Sequence, residues 1–322
     1  MNIKISAIEY FLPTKIVDNQ YLARSFGFDI KFIENKLGIS ERHRANPEES
    51  CVTLANEAVK KLINKHNVSS SSIDLLVTVT QNPDFKLPSV SPLLQNSLNL
   101  DTRIAGIDLN LGCSGFVYAL AVVKGLMATN NFQRALIVTS DPYSKIIYPK
   151  DRNTVPLFGD AATVTLIENC KEEYVGAFDF GTDGSGAEAL ILRSGGSRHP
   201  KPLDDEKSNY LFMDGRAIYN FMMKTIPGSV KRCLEANSLT ENDIDYYVFH
   251  QASEYMLKSL MKRMKITESK MVFALSSCGN TVSSSIPIAL NSLMKRELNY
   301  TKRVLLSGFG VGLSWASVII KI

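Results

Sequence analysis

The sequence predicts an α/β fold built from two copies of one unit, and three observations predict it. Strand-like and helix-like stretches alternate along the chain, with β-branched runs such as Ile73 to Thr80 dense enough for buried central strands. The second half replays the order of the first: Val59-Lys60-Lys61 is matched by Val230-Lys231-Arg232, and Ile73-Asp74 by Ile244-Asp245. Arg134 to Val138 is then matched by Arg303 to Ser307, and Ala162-Thr163-Val164 by Ala316-Ser317-Val318. Chance supplies any one of these matches but not four in one order, so the chain divides into two copies of about 150–170 residues, 1–170 and 171–322. Finally, 322 residues with 45% hydrophobic and 21% charged content provide for two domain-sized units of ordinary globular composition.

In order, residues 3–8 read as a strand and 19–37 as a helix capped by Asp18 or Asn19. Ile39 to Arg44 reads as a short basic connection. From Ser50 to Asn64, Val52, Leu54, Ala58, Val59, Leu62 and Ile63 form one apolar helical face. Strand 73–80, helix 89–98, strand 104–109, helix Phe116 to Met127 and strand Arg134 to Thr139 follow. In the second half, strand 245–249 leads to helix Ala252 to Met264, and strand Met271 to Leu275 leads to a helix with Pro287 in its first turn. Strand Arg303 to Leu306 runs to a glycine-rich corner and a last strand. Polar loops interrupt the scheme at 141–155 and 193–209; the second reads equally as an active-site cover and as a surface excursion.

Composition excludes several functions. The net charge of +4 is small for this length, and no basic run is interleaved with aromatics, which argues against nucleic-acid binding. Five widely spaced cysteines without a Cys-x-x-Cys pair argue against a disulfide framework or a zinc site and for a reducing, cytoplasmic compartment. No apolar stretch reaches the roughly 18 residues of a membrane span, and the N-terminus lacks the apolar core of a signal peptide.

Chemistry concentrates at three strand–turn–helix corners. Cys113, in Gly112-Cys113-Ser114-Gly115-Phe116, stands where a helix begins, and the orphan N–H groups and dipole there favour a thiolate. A thiolate attacks acyl carbonyls; a small buried hydrophobe is the competing reading. His250 ends a central strand, where ligand and catalytic groups collect in α/β sheets, though a core imidazole fits the position as well. His43, His66 and His199 fall in polar, solvated segments. Asn280, in Cys278-Gly279-Asn280-Thr281, is by itself a turn or cap asparagine. The repeat brings the three together: Cys113 and Asn280 hold near-equivalent corners of the two copies, and His250 the preceding corner of the second. A Cys–His–Asn set without a carboxylate suits a thioester substrate, the imidazole and amide stabilising the enolate formed when a malonyl group loses carbon dioxide. In a further corner, between two strands at Ser307 to Trp315, glycines admit close backbone approach, which suits an oxyanion hole shared by the Cys113 and Val311 amides. The spacing Gly308-x-Gly310-x-Gly312 is wrong for a dinucleotide fingerprint.

Together these residues resemble the β-ketoacyl-acyl-carrier-protein synthase III family of the thiolase-like superfamily. The likeness covers essentially the whole chain. Its markers include Gly-Cys-Ser-Gly-Phe (112–116), Asp151-Arg152-Asn153-Thr154, Phe158-Gly159-Asp160-Ala161-Ala162 and Asp183-Gly184-Ser185. Met213-x-Gly215-Arg216, His250-Gln251-Ala252, Gly279-Asn280-Thr281 and Phe309-Gly310-x-Gly312 complete them. The resemblance implies the duplicated five-layer αβαβα thiolase fold, a homodimer, and no metal or permanently bound cofactor. It implies that acyl-CoA and malonyl-acyl-carrier-protein are the substrates, with the acyl carrier protein as partner. It makes Cys113 the acyl-accepting nucleophile and His250 and Asn280 the decarboxylation pair. It assigns Phe32, Arg152, Arg216 and Ala252 to coenzyme A, and Phe309 and Leu87 to the acyl pocket, Leu87 at a position that reaches across the dimer.

This chain departs from the family in places. Ser253-Glu254-Tyr255 replaces an asparagine and an arginine linked to carrier docking, and Lys258, Lys262, Arg263 and Lys265 offer a basic face on the same helix. Val311 replaces a common glycine. The expected activity is acyl transfer to Cys113, then decarboxylative Claisen condensation to a 3-oxoacyl product. The runner-up passes the acyl group to an oxygen or nitrogen acceptor instead. A thiolase or HMG-CoA-synthase-like reading, with Cys278 as second cysteine, fits less well, and so does a non-catalytic subunit, which would have lost its nucleophile.

Overall fold

In the computed structural model, which describes residues 2–297 and 301–322, the chain forms two mixed sheets separated and flanked by helices. The first half contains β1 (Asn2–Phe11), β2 (Lys15–Asp18), α1 (Asn19–Phe26), α2 (Ile30–Phe32), β3 (Glu41–Arg44), α3 (Cys51–His66), β4 (Leu75–Val79) and α4 (Val90–Ser97). β5 (Ala105–Leu109), α5 (Gly115–Asn130), β6 (Arg134–Asp141) and β7 (Ala161–Cys170) complete it. β8 (Val175–Thr182), β9 (Leu190–Ile191), β10 (Phe212–Met213), α6 (Gly215–Ala236), β11 (Tyr246–Phe249), α7 (Glu254–Met264), α8 (Ser285–Arg296), β12 (Arg303–Gly310) and β13 (Ser314–Lys321) follow.

The first sheet has the order β1-β7-β6-β4-β5 and the second β8-β13-β12-β11, so the duplication seen in the sequence is a duplication of topology. β4 pairs in parallel with β6, and β11 with β12, while β7 and β13 run antiparallel to those neighbours. Only the fifth strand differs. Residues 271–275, expected as a strand, make a single bridge from Met271 to Tyr247. The Gln251 side chain takes the place of the missing ladder, donating from Nε2 to Val272 O (3.2 Å) and accepting Ala274 N–H at Oε1 (2.8 Å). An amide has one donor and one acceptor side, as a peptide unit does.

Layering follows from burial. α5 is apolar almost all round, the composition of a helix with no solvent face. It packs with α8 between the sheets in one apolar cluster that takes side chains from β4, β6, β12 and β13. α3 and α4 cover the outer face of the first sheet, and α6 and α7 belong to the cluster outside the second, completing αβαβα.

The expected helix 19–37 is broken. Asp18 caps α1 through Tyr21 N–H (2.6 Å), but Gly27 at φ +64° ends it after two turns. The expected basic connection is a strand, β3, paired with β2. Arg42 within it is wholly buried, its guanidinium donating to Val17 O (3.1 Å), Asn19 Oδ1 (2.8 Å) and Pro156 O (2.9 Å). Burial, then the neighbouring Arg44 charge, pulls its pKa down to about 10, still protonated at neutral pH. Neither His43 nor His66 is fully solvated: His43 lies in β3, and His66 Nε2 stands 3.1 Å from Glu9 Oε1.

Candidate active site

Cys113 occupies the turn between β5 and α5, closed by Gly115 N–H to Gly112 O at 2.8 Å. The end of β12 presses against this turn. A Cβ on Gly308 would stand 2.6 Å from Cys113 O, and one on Gly310 would stand 3.0 Å from the Cys113 Sγ, so only glycine leaves both gaps open. Ser114 Oγ and Ser314 Oγ, 2.7 Å apart, tie the two halves together beside it. The thiol is buried. Burial, and then the Asp141 charge, push its pKa up, while its own backbone N–H pulls the other way. The helix start is where the sequence put it, but desolvation outweighs the dipole's preference for thiolate. Asp141 ends β6 and accepts from Thr80 Oγ1 (3.2 Å), Gln81 N (2.8 Å) and the Ser283 hydroxyl, yet burial still raises its pKa to about 6.

His250 follows β11 and is held by its own N–H to Ser307 O (2.9 Å). The ring is 2% exposed, meets Phe309 edge-to-face with centroids 5.8 Å apart, and has Nδ1 2.7 Å from Ser285 Oγ. Burial drives its pKa down to about 3, so the imidazole is neutral at physiological pH. Asn280 follows Gly279, whose φ of +71° only glycine adopts without strain. Its backbone is pinned on both sides, N–H to Leu157 O (2.9 Å) and O from Gly159 N–H (3.0 Å). Its Oδ1 accepts Val282 N–H at 3.0 Å, which assigns the amide orientation and leaves Nδ2 as a donor.

Cys113, His250 and Asn280 line one cavity of about 630 Å³, and Phe309 with them. Phe32, Arg152, Arg216 and Ala252 line it too, so seven of the sequence-derived positions besides Phe309 converge there. Phe32 is 55% exposed; Arg152 donates from Nη2 to Phe26 O (3.1 Å) and lies over the Phe28 ring. Leu87 does not reach this cavity and stands 87% exposed on the surface. Val311 also lies off the lining, its side chain next to Gly112. Sequence reasoning missed Lys36 and Tyr219, and gave Tyr255 only to the docking segment, whereas it lines this cavity; Tyr219 stacks on Tyr255 at 5.6 Å and Lys36 Nζ sits 4.8 Å from the Tyr255 ring. The spacing Gly215, Arg216, Ile218, Tyr219 on one face of α6 carries a signal for Tyr219; Lys36 has none. Among the described residues no group of three or more His, Cys, Asp or Glu side chains is arranged to hold a metal ion.

Two family models match the chain, 3-oxoacyl-[acyl-carrier-protein] synthase III over residues 107–184 and its C-terminal part over 234–322. The β-ketoacyl-[acyl-carrier-protein] synthase III of Streptococcus gordonii is 33% identical over 322 residues, covering 99% of both chains. A crystal structure of a 3-oxoacyl-(acyl-carrier-protein) synthase III superposes with a TM-score of 0.96 at 37% identity, covering both chains completely. That of the 3-oxoacyl-(acyl-carrier protein) synthase from Burkholderia xenovorans gives 0.94 at 34%, covering all of this chain and 94% of its own.

Proposed function

The chain belongs to the 3-oxoacyl-[acyl-carrier-protein] synthase III family, and from that premise we propose which residues carry its two half-reactions. The enzyme is a condensing, acyl-transferring catalyst of fatty acid biosynthesis that uses acyl-CoA and malonyl-acyl-carrier-protein. Transfer to an oxygen or nitrogen acceptor is set aside, since the relatives are named as condensing synthases.

In the first half-reaction the Cys113 sulfur attacks the acyl-CoA carbonyl. The tetrahedral oxyanion is held by the Cys113 and Val311 amides, and collapse expels coenzyme A, which leaves with the thiol proton. In the second, the carbon–carboxylate bond of the malonyl thioester breaks and carbon dioxide departs. Its electron pair forms an enolate whose oxygen receives hydrogen bonds from His250 Nε2–H and Asn280 Nδ2–H. The enolate carbon then attacks the acyl-Cys113 carbonyl; collapse breaks the carbon–sulfur bond, leaves the 3-oxoacyl product on the carrier and expels the Cys113 thiolate, which takes a proton from solvent to restore the thiol. One observation carries this reading: a single cavity is lined by Cys113, by a buried neutral imidazole and by an amide whose oxygen is already occupied, so that its Nδ2 remains as a donor.

Phe32, Arg152, Arg216 and Ala252 would line the coenzyme A approach. The exposed Lys258, Lys262, Arg263 and Lys265 of α7 and its end would meet the acidic carrier. We infer a homodimer because β5 is an unpaired sheet edge and Phe85 and Leu87 are exposed near that end of the molecule; Leu87 would then enter the partner's acyl pocket. Five free thiols support a cytoplasmic setting, and among the described residues no helix is long and apolar enough to cross a membrane.

Intact-protein mass after incubation with an acyl-CoA panel tests the reading. An acyl adduct absent from Cys113→Ala and discharged only by malonyl-carrier is expected; an adduct indifferent to malonyl-carrier would overturn it.

A further inference from the structure

Three consecutive serines precede or open α8, all buried, and each meets a different partner. The Ser283 hydroxyl donates to Asp141, Ser284 Oγ lies 2.7 Å from Thr139 Oγ1, and Ser285 Oγ lies 2.7 Å from His250 Nδ1. The third contact decides the chemistry of the imidazole. Ser285 Oγ also accepts the Gln251 N–H at 3.4 Å, and among the described residues no acceptor but Nδ1 stands within reach of its proton. A hydroxyl has one proton. If Nδ1 carried a hydrogen and donated to Ser285, the serine proton would be left buried and unpaired, an arrangement that folded proteins avoid. If Ser285 donates instead, its own proton and the Gln251 N–H are both paired, and the ring proton is left on Nε2, free to donate into the cavity.

We propose that Ser285 is a positioning residue that fixes His250 as the Nε2–H tautomer and so keeps a donor facing the malonyl thioester. This rests on His250 acting in decarboxylation. Asn280 is fixed by the same logic, its acceptor end tied to Val282 N–H so that only the donor end remains. Two neutral donors are thereby set without any charged group, and neither can turn to present an acceptor to the enolate.

Two readouts on Ser285→Ala and Ser285→Thr test this. One is the rate of malonyl-carrier decarboxylation against the rate of Cys113 acylation, followed by mass. The other is the nitrogen-15 spectrum of labelled imidazole, which distinguishes protonated from unprotonated ring nitrogens. In Ser285→Ala decarboxylation is expected to fall roughly tenfold to a hundredfold, as for other residues that orient a functional group, with a smaller fall in acylation. The His250 signals should lose their single-tautomer pattern, and Ser285→Thr should restore both. Unchanged decarboxylation and an unchanged nitrogen pattern in Ser285→Ala overturn the proposal. So does an equal loss of both half-reactions in the alanine and threonine variants, which marks a merely structural serine. Should His250→Ala itself decarboxylate normally, the role of His250 fails, while the nitrogen spectrum still judges the tautomer.

Discussion

A Cβ added to Gly310 would stand 3.0 Å from the Sγ of Cys113, closer than side-chain carbons ordinarily approach. The end of β12 thus sets how much room the Cys113 sulfur has. Gly310→Ala, whose backbone conformation is open to alanine, should slow Cys113 acylation roughly tenfold by displacing the sulfur. It should cost no more than about 1–3 kcal/mol of stability. Acylation kinetics and urea unfolding separate the two; an unchanged acylation rate would remove the steric argument.

The protonated thiol predicts an alkylation profile. Without substrate, iodoacetamide labelling of Cys113 should climb roughly tenfold per pH unit between about pH 7 and 9 without levelling, because only the thiolate reacts. Peptide mapping is required, since burial also raises Cys51 and Cys278 to about 12. A plateau near pH 7 would mean a preformed thiolate.

His250 links the site to stability. Its folded pKa of about 3 lies below the unfolded value of about 6.5, so the unfolded chain binds the extra proton. The stability it contributes is intact above pH 6.5 and is lost as pH falls toward 3. His250→Gln should therefore show a smaller drop in Tm between pH 6.5 and 4 than the wild type; identical slopes would contradict the neutral buried ring.

Asp141 has the opposite sign. Its folded pKa is raised to about 6 from 3.8, so the stabilisation is complete below pH 3.8 and is lost as pH rises through 6. Asp141→Asn should flatten that part of the stability profile, as followed by chemical denaturation at stepped pH.

Arg42 carries a fifth expectation. Arg42→Ala strands the carbonyls of Val17 and Pro156 in a dry interior and empties a large volume, so a loss of about 3–5 kcal/mol is expected. Pro156 lines the cavity four residues after Arg152, and the KM for acyl-CoA should rise with the instability. A variant as stable as the wild type would show that other contacts hold the segment.

The fold was legible where the physics is local. β-branched runs marked β4 and β6, alternation of elements marked the repeat, and glycine corners marked Cys113, Asn280 and the end of β12. The failures are non-local. Residues 271–275 have a strand's composition, but the Gln251 amide takes the hydrogen bonds that a strand would have supplied. Arg42 read only as part of a basic connection because its acceptors are carbonyls and an amide from segments far apart in sequence. Ser285 sits in a run of three serines with nothing local to single it out, and only the packing of α8 against the end of β11 brings it to His250.

The burial of Cys113 has a consequence for the idle enzyme. Peroxide and other oxidants attack thiolate sulfur, and the ladder from sulfenic to sulfonic acid begins with that first step. A sulfur kept protonated and covered between turnovers is a poor target for them. The desolvation that holds the Cys113 proton should therefore also slow its oxidation in the absence of a thioester.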